Sequence, residues 1–126
     1  MGLMDWVSQD ENRSCLGHEK AAWAVDRARR FLQDLGFSIE PPKGVCVQGP
    51  DLFGYRGGGA TVYFEVKLAM KNGRGWRVNR VTRKEDDYIC IVFPCGHVQI
   101  ESMKDHLRLC APSGDRWITA MARVYE

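Results

Sequence analysis

Three charged side chains in the middle of the chain have the types and spacing needed for phosphate chemistry. Asp51 follows Pro50, and Glu65 and Lys67 lie two positions apart in the largely apolar run VYFEVKL, residues 62–68. Two carboxylates can bind a divalent cation, and a neighbouring lysine can stabilise negative charge that develops on a phosphate. Whether these groups meet depends on how the chain pairs across the Gly-rich segment between them.

The glycines at 57, 58 and 59 predict the tip of a β-hairpin, because glycine adopts the positive φ angles that tight connections need. With Gly58 at the centre, Asp51 faces Glu65 and Phe53 faces Tyr63. Opposed residues point to the same face and side chains alternate along a strand, so Asp51, Glu65 and Lys67 share one face. The other face is apolar and is expected to belong to the core: Val62, Phe64, Val66, Leu68 and Met70.

Directly opposed carboxylates repel each other, and the repulsion grows as a site loses water. A hard divalent cation between Asp51 and Glu65 would remove that cost. Magnesium prefers oxygen ligands, typically one or two carboxylates together with water and phosphate, and it can polarise a phosphoryl oxygen and activate water. Two acids, a lysine and Mg²⁺, for which Mn²⁺ is expected to substitute, are sufficient for phosphodiester hydrolysis.

Pro50-Asp51, fourteen residues before Glu65-Val66-Lys67, resembles the signature of the PD-(D/E)XK nuclease superfamily. The order of elements also resembles small Holliday-junction-resolvase-like and restriction or homing endonuclease-like members. The resemblance implies an α/β (α+β) fold with a restriction-endonuclease-like core, in which an N-terminal helix precedes a β-hairpin and helices flank a mixed central sheet. It further implies a magnesium-dependent endodeoxyribonuclease in which Asp51 and Glu65 bind the metal and Lys67 is the catalytic lysine.

Two further metal ligands are expected from this reading. The backbone carbonyl of Val66 lies between the two motif side chains. Many relatives also carry a glutamate on the first helix. Of the two acids considered on this helix, Glu19 and Asp26, Glu19 is preferred, although the spacing of neither to Gly36 matches the resolvase pattern. The alternative interpretation of Glu19 is an acid near the helix N-terminus, stabilised by the helix dipole.

A basic, Gly-rich segment, KNGRGWRVNRVTRK, follows the hairpin at residues 71–84 and is expected to form a mobile loop. Lysine and arginine dominate contacts to nucleic-acid phosphates, and an aromatic ring can stack on a base. The predicted nucleic-acid contacts are Lys71, Arg74, Trp76, Arg77, Arg80, Arg83 and Lys84. The alternative interpretation is a solvated edge strand protected by its charges.

Cysteines do not suggest a zinc site, and no zinc is expected. Cys90, Cys95, His97 and Cys110 lack the ligand spacing of a zinc knuckle, and Cys90 lies in an apolar run. A buried, structural cysteine is the preferred interpretation of Cys90.

Periodicity gives the remaining elements. A helix from about Gly17 is expected to bury one stripe, Ala21, Val25, Ala28, Leu32 and Leu35, and to end at Gly36. Strands are expected at 37–39, around Val45 and Val47, and at 97–100, and residues 88–93 predict a strand buried on both faces. A short helix is expected at 103–109, and the type of the last element, 117–125, is left open. Residues 1–14 are interpreted as a polar leader and 15–126 as one domain.

Composition limits the class of protein further. The chain has 126 residues, a formal net charge of +2 and 44% hydrophobic residues, with no apolar run long enough to cross a membrane. No membrane partner and a cytoplasmic location are expected, with DNA as the partner and RNA left open. One active site cuts one strand, so double-strand cleavage would need a homodimer. The alternative function is a catalytically inactive nucleic-acid-binding or interaction protein that retains the nuclease fold.

Overall fold

A computed structural model describes residues 13–40, 50–73 and 75–119. In chain order the elements are α1 (Arg13–Asp34), β1 (Phe37–Ile39), β2 (Leu52–Arg56), β3 (Val62–Leu68), β4 (Met70–Asn72), β5 (Gly75–Val78), β6 (Tyr88–Val92), β7 (Val98–Ser102), α2 (Met103–Leu109) and β8 (Arg116–Ile118). The segment around Val45 and Val47 lies outside the described residues. So does the predicted leader, except for residues 13 and 14, with which α1 begins.

The predicted first helix is confirmed, but its buried face is rotated from the expected one. Ala24, Ala28 and Leu32, spaced four residues apart, are buried, whereas Ala21 and Leu35 are exposed. The expected stripe was therefore wrong at its two ends, because the helix packs against the sheet through the stripe that contains Ala24. Gly36, with a φ of 95°, ends the helix as predicted.

The main sheet has five strands in the order β1-β2-β3-β6-β7. Neighbouring strands are antiparallel except β3 and β6, which are parallel. This is a mixed α+β fold with a mixed central sheet and two helices among the described residues, as the sequence predicts. The chain must leave the sheet between β3 and β6, because parallel neighbours need a long crossover connection.

The predicted hairpin register is confirmed: Phe53 pairs with Tyr63 and Leu52 pairs with Phe64. On β3, Phe64 and Val66 are buried in the core beneath α1, and Val62 and Leu68 pack against it. Met70 does not join that face. It is exposed in β4, because the chain leaves β3 after Leu68 and starts a second sheet.

That second sheet has three strands in the order β4-β5-β8, and β4 and β5 occupy the first part of the basic segment that was expected to be a mobile loop, whereas residues 79–84 lie outside the strands. The expectation was wrong because β4 and β5 form an antiparallel hairpin, with Gly73 at its turn in a left-handed conformation (φ 59°). β8 adds to β5 from a distant part of the chain, so its contribution could not be read from local pattern.

β6 is the buried centre of the fold, as predicted. Its residues Ile89, Cys90, Ile91 and Val92 have no exposed surface. Cys90 and Val92 face the core under α1, whereas Ile89 and Ile91 face a second apolar cluster with Trp76, Val78, Phe93, Met103 and Ile118. The sheet therefore carries α1 on one face and the second sheet with α2 on the other. No helix among the described residues is long and apolar enough to cross a membrane.

Candidate active site

Asp51 is fixed at the start of β2 by the neighbouring strand. Its Oδ2 accepts a hydrogen bond from the backbone N–H of Val66 at 2.8 Å. The backbone groups of Tyr63 and Ala69 form hydrogen bonds on the β6 side of β3. Backbone direction alternates along a strand, so the N–H and C=O of Val66 point toward β2. Asp51 thus takes the place of a β2 carbonyl where the backbone ladder ends. A carboxylate has about four lone-pair sites, so Asp51 retains capacity for a further ligand.

Glu65 lies opposite Asp51, in continuation of the observed register. This position is of the non-hydrogen-bonded type, in which opposed Cα atoms approach to about 4.5 Å and the side chains are close. Glu65 is only 7% exposed although its carboxyl group is ionisable. Burial, followed by the negative charge of Asp51, raises the pKa of Glu65 to about 8, and the nearby Lys67 only partly offsets this.

Lys67 lies two residues further along the same face of β3. Its Nζ is 3.9 Å from Oε1 of Glu65, which is ion-pair distance but too long for a hydrogen bond. The Lys67 side chain is 24% exposed, whereas the side chain of Glu65 beside it is 9% exposed. The three side chains predicted to act together therefore lie on one face of the β2–β3 pair.

A third carboxylate, Asp86, was missed by the sequence reasoning. It lies in the turn before β6, is 3% exposed, and its charge also contributes to the raised pKa of Glu65. Oδ1 of Asp86 accepts a hydrogen bond from Nε of Arg83 at 3.2 Å, whereas Oδ2 is buried without a donor in the described part of the chain. Its only signal in the sequence is the acidic run Glu85-Asp86-Asp87, which is more typical of a solvated turn.

The oxygen atoms around Glu65 suit a hard cation. Val66 adds a backbone carbonyl on the Asp51 side, because the N–H and C=O of one strand residue point to the same side. No set of three His, Cys, Asp or Glu side chains in the described ranges is arranged as a metal site. Two carboxylates and a carbonyl are the kind of oxygen ligands that magnesium takes together with water and phosphate. A cation here would also favour the ionised form of Glu65.

Glu19 is not brought to this site by any described contact. It is exposed on α1, and α1 packs against the opposite face of the sheet from Glu65. Its role as a metal ligand remains an expectation from the family resemblance alone.

The predicted basic contacts are dispersed. Lys71, Arg80 and Lys84 are exposed, Arg77 is half-buried in β5, and Arg74 lies outside the described residues. Arg83 forms ion pairs with Asp86 and Glu85, at 3.2 and 3.5 Å, so it supports the third carboxylate.

Trp76 does not fit the predicted role of stacking on a base. Its ring is 1% exposed and packs edge-on against Phe93, with centroids 5.4 Å apart, inside the second apolar cluster. The Nζ of Lys71 lies 5.1 Å from the ring centroid and covers it further. The physical reason is that β5 is the middle strand of the second sheet, and Phe93, which packs on the ring, lies seventeen residues further along the chain.

The interpretation of Cys90 as a buried cysteine is confirmed. It has no exposed surface, and burial raises the pKa of its thiol to about 12. Cys95 is exposed and Cys110 is half-buried. The thiol of Cys90 therefore contributes to packing and is protected from reaction.

One solved structure shares this fold. It is a bacterial homing endonuclease, I-Ssp6803I, which matches with a TM-score of 0.62 over 84% of this chain and 83% of its own, at 16% sequence identity. No protein-family model and no curated protein sequence matches the chain. At this identity the likeness shows a shared fold alone.

Proposed function

We propose that the protein is a metal-dependent DNA endonuclease of the PD-(D/E)XK type. The observation that carries the proposal is the buried Glu65 carboxyl, which lies opposite Asp51 and 3.9 Å from the Lys67 ammonium group. We call Asp51 and Glu65 the acid pair. A buried glutamate with a raised pKa, opposite a second carboxylate and beside a lysine, is unfavourable as simple sheet packing and is typical of a functional site. The shared fold of a homing endonuclease supports the same reaction class.

In this proposal Asp51, Glu65 and the Val66 carbonyl hold magnesium, with manganese as a substitute. When bound, the cation supplies positive charge to the phosphate and activates water for in-line attack on phosphorus. Asp51 is oriented for this task by the Val66 N–H, which fixes one of its oxygens. Lys67 remains partly solvated beside Glu65, where its ammonium group can contact a phosphate oxygen and stabilise the charge that develops in the transition state.

DNA is the proposed substrate, and a homodimer is proposed for cleavage of both strands, since each chain provides one site. Exposed Lys71, Arg80 and Lys84 would contribute phosphate contacts that weaken with salt. RNA is the competing substrate, because hydrolysis of the phosphodiester does not depend on the sugar. The proposed place of action is the cytoplasm.

Cleavage assays test the proposal directly. Supercoiled plasmid, branched DNA, single-stranded DNA and RNA are incubated with the protein in magnesium, in manganese and in EDTA. We expect metal-dependent cutting of DNA that Lys67→Ala reduces by at least about 100-fold, the cost of losing one transition-state contact in a preorganised site.

Lys20→Ala is the matched control, because Lys20 lies on α1, which packs on the opposite face of the sheet. It should cut like the unaltered protein. If no substrate is cut in either metal, or if the Lys67 and Lys20 variants cut equally well, the protein is not this nuclease. Binding of DNA without cutting would identify the inactive, nucleic-acid-binding alternative.

A further inference from the structure

Three aromatic side chains are exposed on the hairpin face that carries the acid pair. Phe53 is 40% exposed, Tyr55 51% and Tyr63 41%. We call Phe53, Tyr55 and Tyr63 the aromatic row. Exposed aromatic side chains grouped on one face of a sheet are uncommon without a partner, because each leaves a large apolar area in water.

Register places the aromatic row beside the catalytic groups. Phe53 and Tyr63 are directly paired, and their ring centroids are 6.3 Å apart. Each is two residues from its acid, Asp51 on β2 and Glu65 on β3, and therefore shares its face. At about 3.3 Å per residue, the Phe53–Tyr63 pair begins roughly 7 Å from the carboxylates.

The cover of the sheet explains why this part of the face is open. Beyond Glu65, the second apolar cluster covers the same face, through Ile89 and Ile91 on β6 and Ala69 after β3. Toward the hairpin tip no such cover is present among the described residues, and Thr61 and Tyr63 are exposed. Among the described residues, the face is therefore open from Glu65 over the aromatic row.

We propose that the aromatic row is a subsite for an unpaired nucleobase next to the phosphate that is cut. Aromatic rings bind bases of single strands by stacking, with little preference for sequence. The bases of an intact duplex are stacked within the helix and reach such rings only if the nucleotide is flipped out. The preferred substrate is accordingly a single-stranded, flapped or locally melted DNA rather than a continuous duplex.

This inference rests on the proposed function for the position of the phosphate, but it can be tested through binding alone. Fluorescence anisotropy would measure the affinity for a 12-nucleotide oligothymidine, for an abasic oligonucleotide of equal length and charge, and for a 12-base-pair duplex, with calcium replacing magnesium. We expect the unaltered protein to bind the oligothymidine about tenfold more tightly than its abasic counterpart, because base–aromatic stacking is lost in the latter.

The double variant Phe53→Leu/Tyr63→Leu retains apolar side chains but removes the rings, so it should bind the two oligonucleotides equally. Tyr55→Leu, at the most exposed position, is a second test if the double variant does not fold. It should reduce the preference for the oligothymidine over the abasic oligonucleotide by severalfold. Trp117→Leu is the matched control, because Trp117 is 41% exposed on the second sheet, and it should keep the full preference.

Equal binding of the intact and abasic oligonucleotides by the unaltered protein, while it still cuts DNA in magnesium, would overturn the subsite and leave the nuclease in place. A preference that requires the aromatic row in a protein that never cuts would support the base subsite and overturn the nuclease. Light scattering, which measures the oligomeric state, tests whether the aromatic row is instead a contact between two copies of the chain. If the leucine variants lose a dimer and keep their oligonucleotide preference, the aromatic row is an interface between copies and the subsite is wrong.

Discussion

Oδ2 of Asp51 lies 2.8 Å from the backbone nitrogen of Val66 and accepts its hydrogen bond. Asp51 consequently has a structural role in addition to the proposed binding of magnesium, because it accepts the hydrogen bond of a backbone N–H of β3. The two roles can be separated, because an asparagine oxygen can still accept this hydrogen bond but provides no negative charge.

We expect Asp51→Asn to preserve stability and to abolish magnesium-dependent cleavage. Magnesium affinity should fall by about 100-fold, the upper end of the loss caused by removing the hydrogen-bond partners of metal ligands. Asp51→Ala should lose cleavage equally and, in addition, about 1–3 kcal/mol of stability, because the Val66 N–H loses its acceptor. Thermal unfolding and titration calorimetry with magnesium measure the two effects. Equal stability of the two variants would show that the hydrogen bond contributes nothing to folding.

Glu65 should make the metal-free protein less stable as the pH rises. Burial and the charge of Asp51 raise its pKa from 4.5 to about 8 in the folded protein, so the folded state holds the proton more tightly than the unfolded state. The contribution of Glu65 to stability is therefore fully present below pH 4.5 and is lost as the pH rises from 4.5 through 8. We expect Glu65→Gln, which cannot ionise, to flatten this part of the profile of melting temperature against pH.

The control for that profile is Glu85→Gln, since the side chain of Glu85 is 66% exposed. Its profile should follow that of the unaltered protein. Magnesium added at pH 8 should raise the melting temperature of the unaltered protein more than that of Glu65→Gln, because a ligand that binds the folded state stabilises it. Parallel profiles for the unaltered protein and Glu65→Gln would contradict the raised pKa.

Gly54 should tolerate no side chain. A Cβ atom at this position would lie 2.1 Å from the carbonyl oxygen of Ser38 and 2.6 Å from Cδ1 of Ile39, because the paired strand β1 lies very close to Gly54. We expect Gly54→Ala to cost about 1–3 kcal/mol, the usual range for forced overpacking, when unfolding is followed in urea. Gly58→Ala is the matched control: its Cβ would meet nothing within 4 Å, so its effect should stay within about 0.5 kcal/mol. Similar losses for both variants would rule out the close approach of β1 to Gly54.

The parts of the site that follow from local pattern are the parts that the sequence predicts. The glycines at the hairpin tip set the register, and alternation then puts Phe53 and Tyr63 on the face of Asp51 and Glu65. The exposure of the two aromatic side chains could therefore have been anticipated. Their significance was hidden because exposure depends on where α2 and the second sheet end, which no short stretch of sequence determines.

Pairing between distant segments explains why Asp86 was not predicted and why the role predicted for Trp76 was wrong. Asp86 reaches Glu65 only because β3 and β6 run parallel, with Glu65 next to Ile89, and this joins segments that are far apart in the chain. Trp76 is buried because β8 pairs with β5 and Phe93 packs against its ring. A basic segment that contains a tryptophan is typical of a nucleic-acid surface, and nothing within the segment reveals these partners. Sequence reasoning consequently identified the acid pair better than its surroundings.

Glu101 should be a major source of stability, although it lies outside the proposed active site. It is on β7, its Oε2 is 2.9 Å from Nδ1 of the fully buried His106 on α2, and its Oε1 is 2.7 Å from Nη2 of Arg116 on β8. The carboxylate thus connects the main sheet to α2 and to the second sheet. Burial opposes its ionisation, but the hydrogen bonds from His106 and Arg116 outweigh burial and lower the pKa of Glu101 to about 2.

Because the folded state releases this proton more readily than the unfolded state, the stability due to Glu101 is present above pH 4.5 and is lost as the pH falls toward 2. Glu101→Gln should lower stability at pH 7 by about 3 kcal/mol, since Arg116 is left as a largely buried charge without its partner, and should lose less at pH 3. Urea unfolding at the two pH values measures both effects.

Asp105→Asn is the matched control for Glu101→Gln, because Asp105 pairs with Arg108 at the surface, where both side chains are more than half exposed. Exposed pairs contribute at most about 1 kcal/mol, so this variant should lose far less than Glu101→Gln at pH 7. If the two variants lose the same stability, the connection through Glu101 is no stronger than a surface ion pair. The second sheet would then depend on the packing of Trp76 and Ile118, and Trp76→Leu would be the more damaging change.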